Sequence, residues 1–142
     1  MKSRFWWAVV AVLAVTAVAA SAALAGRSVA FTGTYTGKAT AKVSGQTVAI
    51  SALGAGRGSV IGASKISGVG KGDASNPPCV PFNGPGSITG ATGKITFVVL
   101  PTSRGCAAQD DQKKVTVTGS MRVTGGTGKF AKARGTLRFS GP

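Results

Sequence analysis

From Val29 to Val43 the chain alternates with a period of two. The odd positions are Val29, Phe31, Gly33, Tyr35, Gly37, Ala39, Ala41 and Val43, and the even ones from Thr32 to Lys42 are all threonine or lysine. Successive side chains of an extended strand point to opposite faces, so this is one long strand with an apolar or small face and a polar face. Gly33 and Gly37 fall on the apolar face. There they relieve crowding and permit the sharp bend that a closed barrel demands.

The same register recurs along the rest of the chain. Gly45-Gln46 is a turn, and Val48, Ile50 and Ala52 alternate up to Leu53. A second turn is expected at Gly54 to Gly58, followed by Val60, Gly62, Ser64, Ile66 and Gly68 in step. Four prolines fall between Asn76 and Pro85, and a ring nitrogen cannot donate to a sheet, so Asp73 to Gly86 is predicted to be a long surface loop. Pro101 to Lys114 is predicted as a second one. Between and after them Ile95, Phe97, Val99, then Val115, Val117, Gly119, Met121 and Val123, and finally Leu137 and Phe139, keep the two-residue step. With a short strand at Ser87 to Gly90 this makes seven or eight antiparallel strands. The fold class is therefore all-β and antiparallel, an eight-stranded barrel by expectation, with a β-sandwich as the alternative.

Residues 1–25 have the three parts of a secretory leader: Lys2 and Arg4, an apolar run from Phe5 to about Ala20, and small residues before a cut site. Ala23-Leu24-Ala25 places the cut before Gly26, with Ala20-Ser21-Ala22 as the alternative. An uncleaved anchor is the rival reading, since the run from Phe5 to Ala25 could just span a bilayer. Leu24-Ala25-Gly26-Arg27 resembles a lipoprotein box with Arg27 where the lipidated cysteine must stand, so lipid anchoring has no thiol to use. The expected product is one exported barrel domain, residues 26–142, touching the membrane only through its transient leader.

The full chain carries 17 Lys plus Arg against three acids, a net charge of +14, and loss of Lys2 and Arg4 leaves 14 − 2 = +12. Such a surface attracts anionic polymers. All 22 glycines lie at or after Gly26. At that content a chain poor in apolar residues would be disordered, but here the apolar residues alternate in register. Two cysteines, Cys79 and Cys106, are expected to pair in an exported protein.

Chemistry is limited by what is missing. With no histidine, the usual proton shuttle of a serine or cysteine nucleophile has no carrier. There is no glutamate, and the three aspartates are Asp73 in the proline-rich segment and the neighbours Asp110 and Asp111. That set gives no metal site and no catalytic carboxylate pair. Gly93-Lys94-Ile95 and Gly128-Lys129-Phe130 lack the spacing and the following Ser or Thr of a phosphate loop. No cofactor and no specific nucleic-acid partner is expected.

The C-terminal segment Gly125-Gly126-Thr127-Gly128-Lys129-Phe130, followed by Ala133-Arg134-Gly135, resembles the C-terminal signature of the dirigent and allene-oxide-cyclase-like β-barrels. The likeness covers Thr118 to Gly141, with weaker support from Thr32 to Gly37. It implies an eight-stranded antiparallel barrel in which Gly125, Gly126, Gly128, Phe130, Arg134 and Gly135 shape the last hairpin. The whole chain also resembles small glycine-rich exported proteins of bacteria. Active relatives couple phenoxy radicals or cyclise an allene oxide in an apolar pocket, using pocket acids that this chain does not place on an inward register.

Three functions follow as expectations. The first is a non-enzymatic exported barrel that binds an apolar or polymeric ligand or serves at the cell envelope, with Tyr35, Phe31, Phe97 and Met121 as pocket residues. The second is an isomerase, cyclase or coupling-directing barrel built around Tyr35. The third is a cationic protein that binds anionic envelope polymers or membranes. A cavity in which Tyr35 meets another polar side chain would favour chemistry, and a filled interior would exclude it.

Overall fold

The computed structural model describes residues 7–15, 22–24, 27–110 and 114–142. The expected cut between Ala25 and Gly26, and Asp111, lie outside the described residues. The strands are β1 (Trp7–Val15), β2 (Ala22–Leu24), β3 (Arg27–Val29), β4 (Gly33–Ser44), β5 (Thr47–Gly58), β6 (Gly62–Asp73), β7 (Cys79–Gly90), β8 (Gly93–Val99), β9 (Arg104–Ala107), β10 (Val115–Gly128) and β11 (Gly135–Gly141). Strands β1, β4, β5, β6, β7, β8 and β10 are neighbours in that order, and β11 joins β10 back to β1. Strands β8 and β9 follow one another between β7 and β10 and share a single stave. All pairs are antiparallel, and the expected antiparallel barrel forms, with seven staves from residues 33–141 and an eighth supplied by β1. Strands β2 and β3 pair separately.

Strand β1 comes from the apolar run read as the leader. It pairs with β4 from Trp7↔Ala41 to Val15↔Gly33 but with β11 only at Ala14↔Ser140.

The two-residue register is realised almost without slippage, β4 pairing with β5 from Gly33↔Gly58 to Ser44↔Thr47 and β5 with β6 from Thr47↔Asp73 to Gly58↔Gly62. The turn expected at Gly54 to Gly58 is instead the end of β5, and the chain reverses at Ser59 to Ile61. Gly54, Gly56 and Gly58 all occupy the inward register. A Cβ on Gly56 would strike the Thr34 carbonyl oxygen and lie 2.7 Å from the Tyr35 Cα. These glycines let β5 press against β4 as the wall curls, which is a strand function.

The proline-rich loop is also corrected, because Cys79–Gly90 is a strand with Pro81 and Pro85 inside it. The backbone N–H of Phe82 donates to the Ser103 carbonyl at 3.0 Å, toward β9. Residues 81 and 85, of opposite parity, therefore turn their ring nitrogens toward β6. Pro85 falls where the β6–β7 register is unpaired, between Gly68↔Gly86 and Lys71↔Asn83, and Pro81 lies beyond its last pair, Gly72↔Phe82. A missing donor on that side breaks no ladder bond. The second predicted loop is interrupted as well, by β9 around Cys106.

Leu100 to Ser103 bulges out between β8 and β9, and Ser103 repairs the gap. Its Oγ accepts from the Ser120 N–H at 3.1 Å and donates to the Ser120 carbonyl at 3.2 Å, fully buried. The hydroxyl thus takes up the Ser120 N–H, while the Ser120 carbonyl also accepts from the Leu100 N–H at 2.9 Å.

Candidate functional site

The barrel interior divides into a packed half and a hollow half. At one end the turn at 129–134 folds inward, so that Phe130 and Ala133 join Phe31, Ile61, Ile88 and Ile95 in a continuous buried cluster. At the other end lie the β4–β5 turn, the segment between β6 and β7, and the segment leading into β10. There the inward positions are mostly small or aliphatic, and they do not fill the space. The hollow measures about 330 Å³, within the range of small-molecule sites.

Its side walls are carbon, supplied by Val48, Ile50, Ile66, Val80, Phe82 and Val117. Gly68, Gly70 and Gly84 take inward positions on β6 and β7; a Cβ on Gly84 would strike the Val69 carbonyl oxygen and one on Gly70 would lie 2.5 Å from the Asn83 carbonyl oxygen, so these two let the strands approach closely. Phe82 of β7 and Phe139 of β11 meet across the interior at 6.4 Å between ring centroids. Val43, on the inward register at the lip, is 53% exposed. Among the described residues every buried side-chain nitrogen or oxygen has a hydrogen-bond partner.

Of the four pocket residues expected from sequence, Tyr35, Phe97 and Met121 border the hollow, while Phe31 lies in the packed end with its ring against Gly58. Val80 and Phe82 were hidden by the loop reading of their segment. The other wall positions, Val48, Ile50, Ile66 and Val117, carry only the two-residue step as their signal.

Tyr35 OH and Ser64 Oγ are 2.7 Å apart and buried, and Ser64 Oγ also donates to the Gly62 carbonyl at 3.1 Å. With the serine proton committed to that carbonyl, the phenol donates and the serine accepts. Burial raises the Tyr35 pKa above the ordinary 10.0, with the Ser64 contact opposing the shift. A tyrosine in this state is a fixed donor and a poor base.

Ser64 is not among the residues bordering the hollow. Asp73 is exposed at the mouth end of β6, where the Ser75 hydroxyl, followed by the Ser75 N–H that donates to Oδ1 at 2.9 Å, holds its carboxyl below the usual range. Asp110 is also exposed.

The phenol gives a direct test, because Tyr35 is the chain's one tyrosine. Tyrosinate absorbance in a pH titration is expected to rise with a midpoint above 10.0. Since the folded-state value is raised, the neutral phenol's contribution to stability is complete below pH 10.0 and is lost as pH climbs through the folded-state value. Tyr35→Phe is expected to cost about 1 kcal/mol at neutral pH and to remove that part of the alkaline loss. A wild-type midpoint at or below 10.0 would contradict the buried pair.

Comparison with protein-family models, curated proteins and solved structures decides nothing further. The chain matches none of them.

The turn that follows β10 is built as a plug. Phe130 N–H donates to the Thr127 carbonyl at 3.1 Å and Ala133 N–H to the Phe130 carbonyl at 3.0 Å, which folds the segment over the barrel end. Arg134 Nη1 donates to the Ala133 carbonyl at 2.8 Å, and Gly135 opens β11. Gly125 and Gly126 lie in the last turn-ward part of β10 beneath this plug, and Gly128, the strand's last residue, turns the chain at a φ of 60°. Cys79 and Cys106 form a disulfide that ties β7 to β9 at the hollow end, between directly paired residues.

Proposed function

We propose that the protein is an exported, non-enzymatic barrel that holds a small apolar ligand in the hollow half of its interior. The observation that carries this reading is the carbon-walled hollow of about 330 Å³ beside a fully packed floor. The isomerase or coupling reading would need a polar side chain presented to the ligand. Tyr35 does meet a second polar side chain, Ser64, but the two hydroxyls are bonded to each other and Ser64 does not border the hollow, so the pair is not presented to a ligand. Kinship with the dirigent and allene-oxide-cyclase-like barrels belongs to the same proposal and rests on the segment from Gly125 to Gly135.

Export with loss of the leader would also take β1 out of the wall. Strands β4 and β11 would then border a gap beside the hollow, a lateral way in for a ligand.

The test is binding of the neutral fluorophore N-phenyl-1-naphthylamine, together with native mass spectrometry of whatever co-purifies. Ala39 and Ala52 face each other on the inward register of β4 and β5. The pair Ala39→Leu and Ala52→Leu is expected to weaken probe binding by about tenfold or more while holding or raising the melting temperature. Wild-type protein that neither binds the probe nor carries a molecule, or a double variant that binds it as wild type does, would overturn the reading.

A further inference from the structure

The large hydrophobic residues left exposed among the described residues are Val43, Leu53 and Val69, one on each of three successive strands. Val43 belongs to the lip of the hollow. Leu53 and Val69 are different, because they stand on the outward register, 68% and 60% exposed. Neither helps to build the core, and single exposed aliphatics would need no explanation.

These two are not isolated. Leu53 pairs with Ser67 and Val69 with Ser51, which makes them diagonal neighbours on one outer face. On β7 the outward Pro85 occupies the position across from Val69, and Pro85 pairs with Val98 of β8. An apolar band thus crosses the outside of the barrel obliquely over four strands.

Lysines frame the band. Lys38 pairs with Leu53 across β4–β5, and Lys71 follows Val69 by one step on the same face of β6. Lys42 and Lys71 lie on either side of Ala49 in the next row, and Lys65 stands two steps up β6 from Val69. The one acid on the outward register of β4–β6 is Asp73, the next outward position after Lys71 at the mouth end of β6 and outnumbered there by the lysines.

We propose that this face docks the protein onto a bilayer surface containing anionic phospholipid. The two halves of the pattern select that partner together. Lysines alone would suit any polyanion, but a dissolved polymer offers nothing to bury Leu53 and Val69 against. A headgroup layer supplies both negative charge and an apolar boundary within reach of short side chains. A second copy of the chain is disfavoured, since a two-fold contact through this face would set one lysine frame against another. The inference stands on the outer face alone and does not depend on what the hollow holds.

Co-sedimentation tests it, with the protein isolated in the form its host produces and vesicles of phosphatidylcholine with or without phosphatidylglycerol. Binding is expected only with phosphatidylglycerol present and is expected to fall in high salt. Leu53→Ser with Val69→Ser should reduce it about tenfold or more, leaving the melting temperature unchanged. Lys65→Gln with Lys71→Gln should reduce it by roughly tenfold or more, since each lysine near such a surface contributes about fivefold. Lys129→Gln with Lys132→Gln, the same loss of charge at the packed end, should change it less than about threefold.

Binding by the Leu53/Val69 variant equal to wild type would overturn the proposal. So would equal losses in the two lysine pairs, which would mean attraction to net charge alone. A change of oligomeric state in the Leu53/Val69 variant would assign the face to a second copy instead.

Discussion

Phe130→Ala is expected to lower the unfolding free energy by about 3–5 kcal/mol, the usual cost of emptying a large aromatic site in a core. The ring is 1% exposed at the centre of the packed end. It is held there by the turn's own hydrogen bonds to Thr127 and Ala133. Two glycines are shaped around it: a Cβ on Gly126 would lie 2.6 Å from the Phe130 carbonyl oxygen, and one on Gly93 would lie 3.1 Å from the ring. Because backbone approaches the residue so closely, neighbouring side chains cannot collapse into the space it leaves. The loss should therefore fall in the upper part of the range. Chemical denaturation of wild type, Phe130→Ala and Phe130→Leu would measure it, with leucine retaining more than half of the stability difference. A cost below about 1 kcal/mol for alanine would show that the turn is a surface feature and that the barrel end is sealed by other residues.

The architecture was legible where a single rule controlled it. Strict two-residue alternation over β4 and along β10 gave strand, face and antiparallel class together, because a one-residue slip would turn every apolar side chain to water. The errors arose where a residue type carries two meanings. Gly54, Gly56 and Gly58 read as a turn by composition, although their spacing repeats the inward step of β5 and lets two strand backbones meet. Pro81 and Pro85 read as loop because proline cannot donate. A strand nevertheless accepts it wherever the missing N–H would face an unpaired stretch, and which side that is depends on the neighbouring strands. Ser103 carried no local signal at all, since its role appears only once a bulge leaves the Ser120 N–H to a side-chain acceptor. The hollow was legible only in part. Sequence places small residues on the inward register, but whether they empty the interior or draw the walls together depends on which large side chains lie opposite. Here Phe130 and its companions concentrate the bulk at one end and leave the other unfilled.

Replacing both cysteines with serine is expected to destabilise the protein by about 3.5 kcal/mol in the chain-entropy account of a closed loop of this length. Cys79 and Cys106 are 27 residues apart in sequence. The loop they close contains β7, the turn into β8, β8 itself and the Leu100 to Ser103 bulge, so an unfolded chain without the bridge regains the freedom of that whole stretch. In the native state the bridge joins directly paired residues of β7 and β9. Strand β9 has only four residues, a length that by itself secures little. Its pairing with Cys79 to Pro81 is what keeps the carbon wall around Val80 continuous at the mouth. Two losses are therefore expected from Cys79→Ser with Cys106→Ser. One is a melting temperature lower by roughly 10 °C or more, given about 3 to 5 °C per kcal/mol for a domain of this size. The other is weaker naphthylamine binding under conditions where the variant is still folded, because the mouth frays before the packed end does. Hydrogen exchange separates the two. Amides of β9 and of β7 near Val80 should lose protection first, while those around Phe130 stay protected until global unfolding. Uniform loss of protection across the barrel would place the disulfide's effect wholly in the unfolded chain and detach it from the mouth.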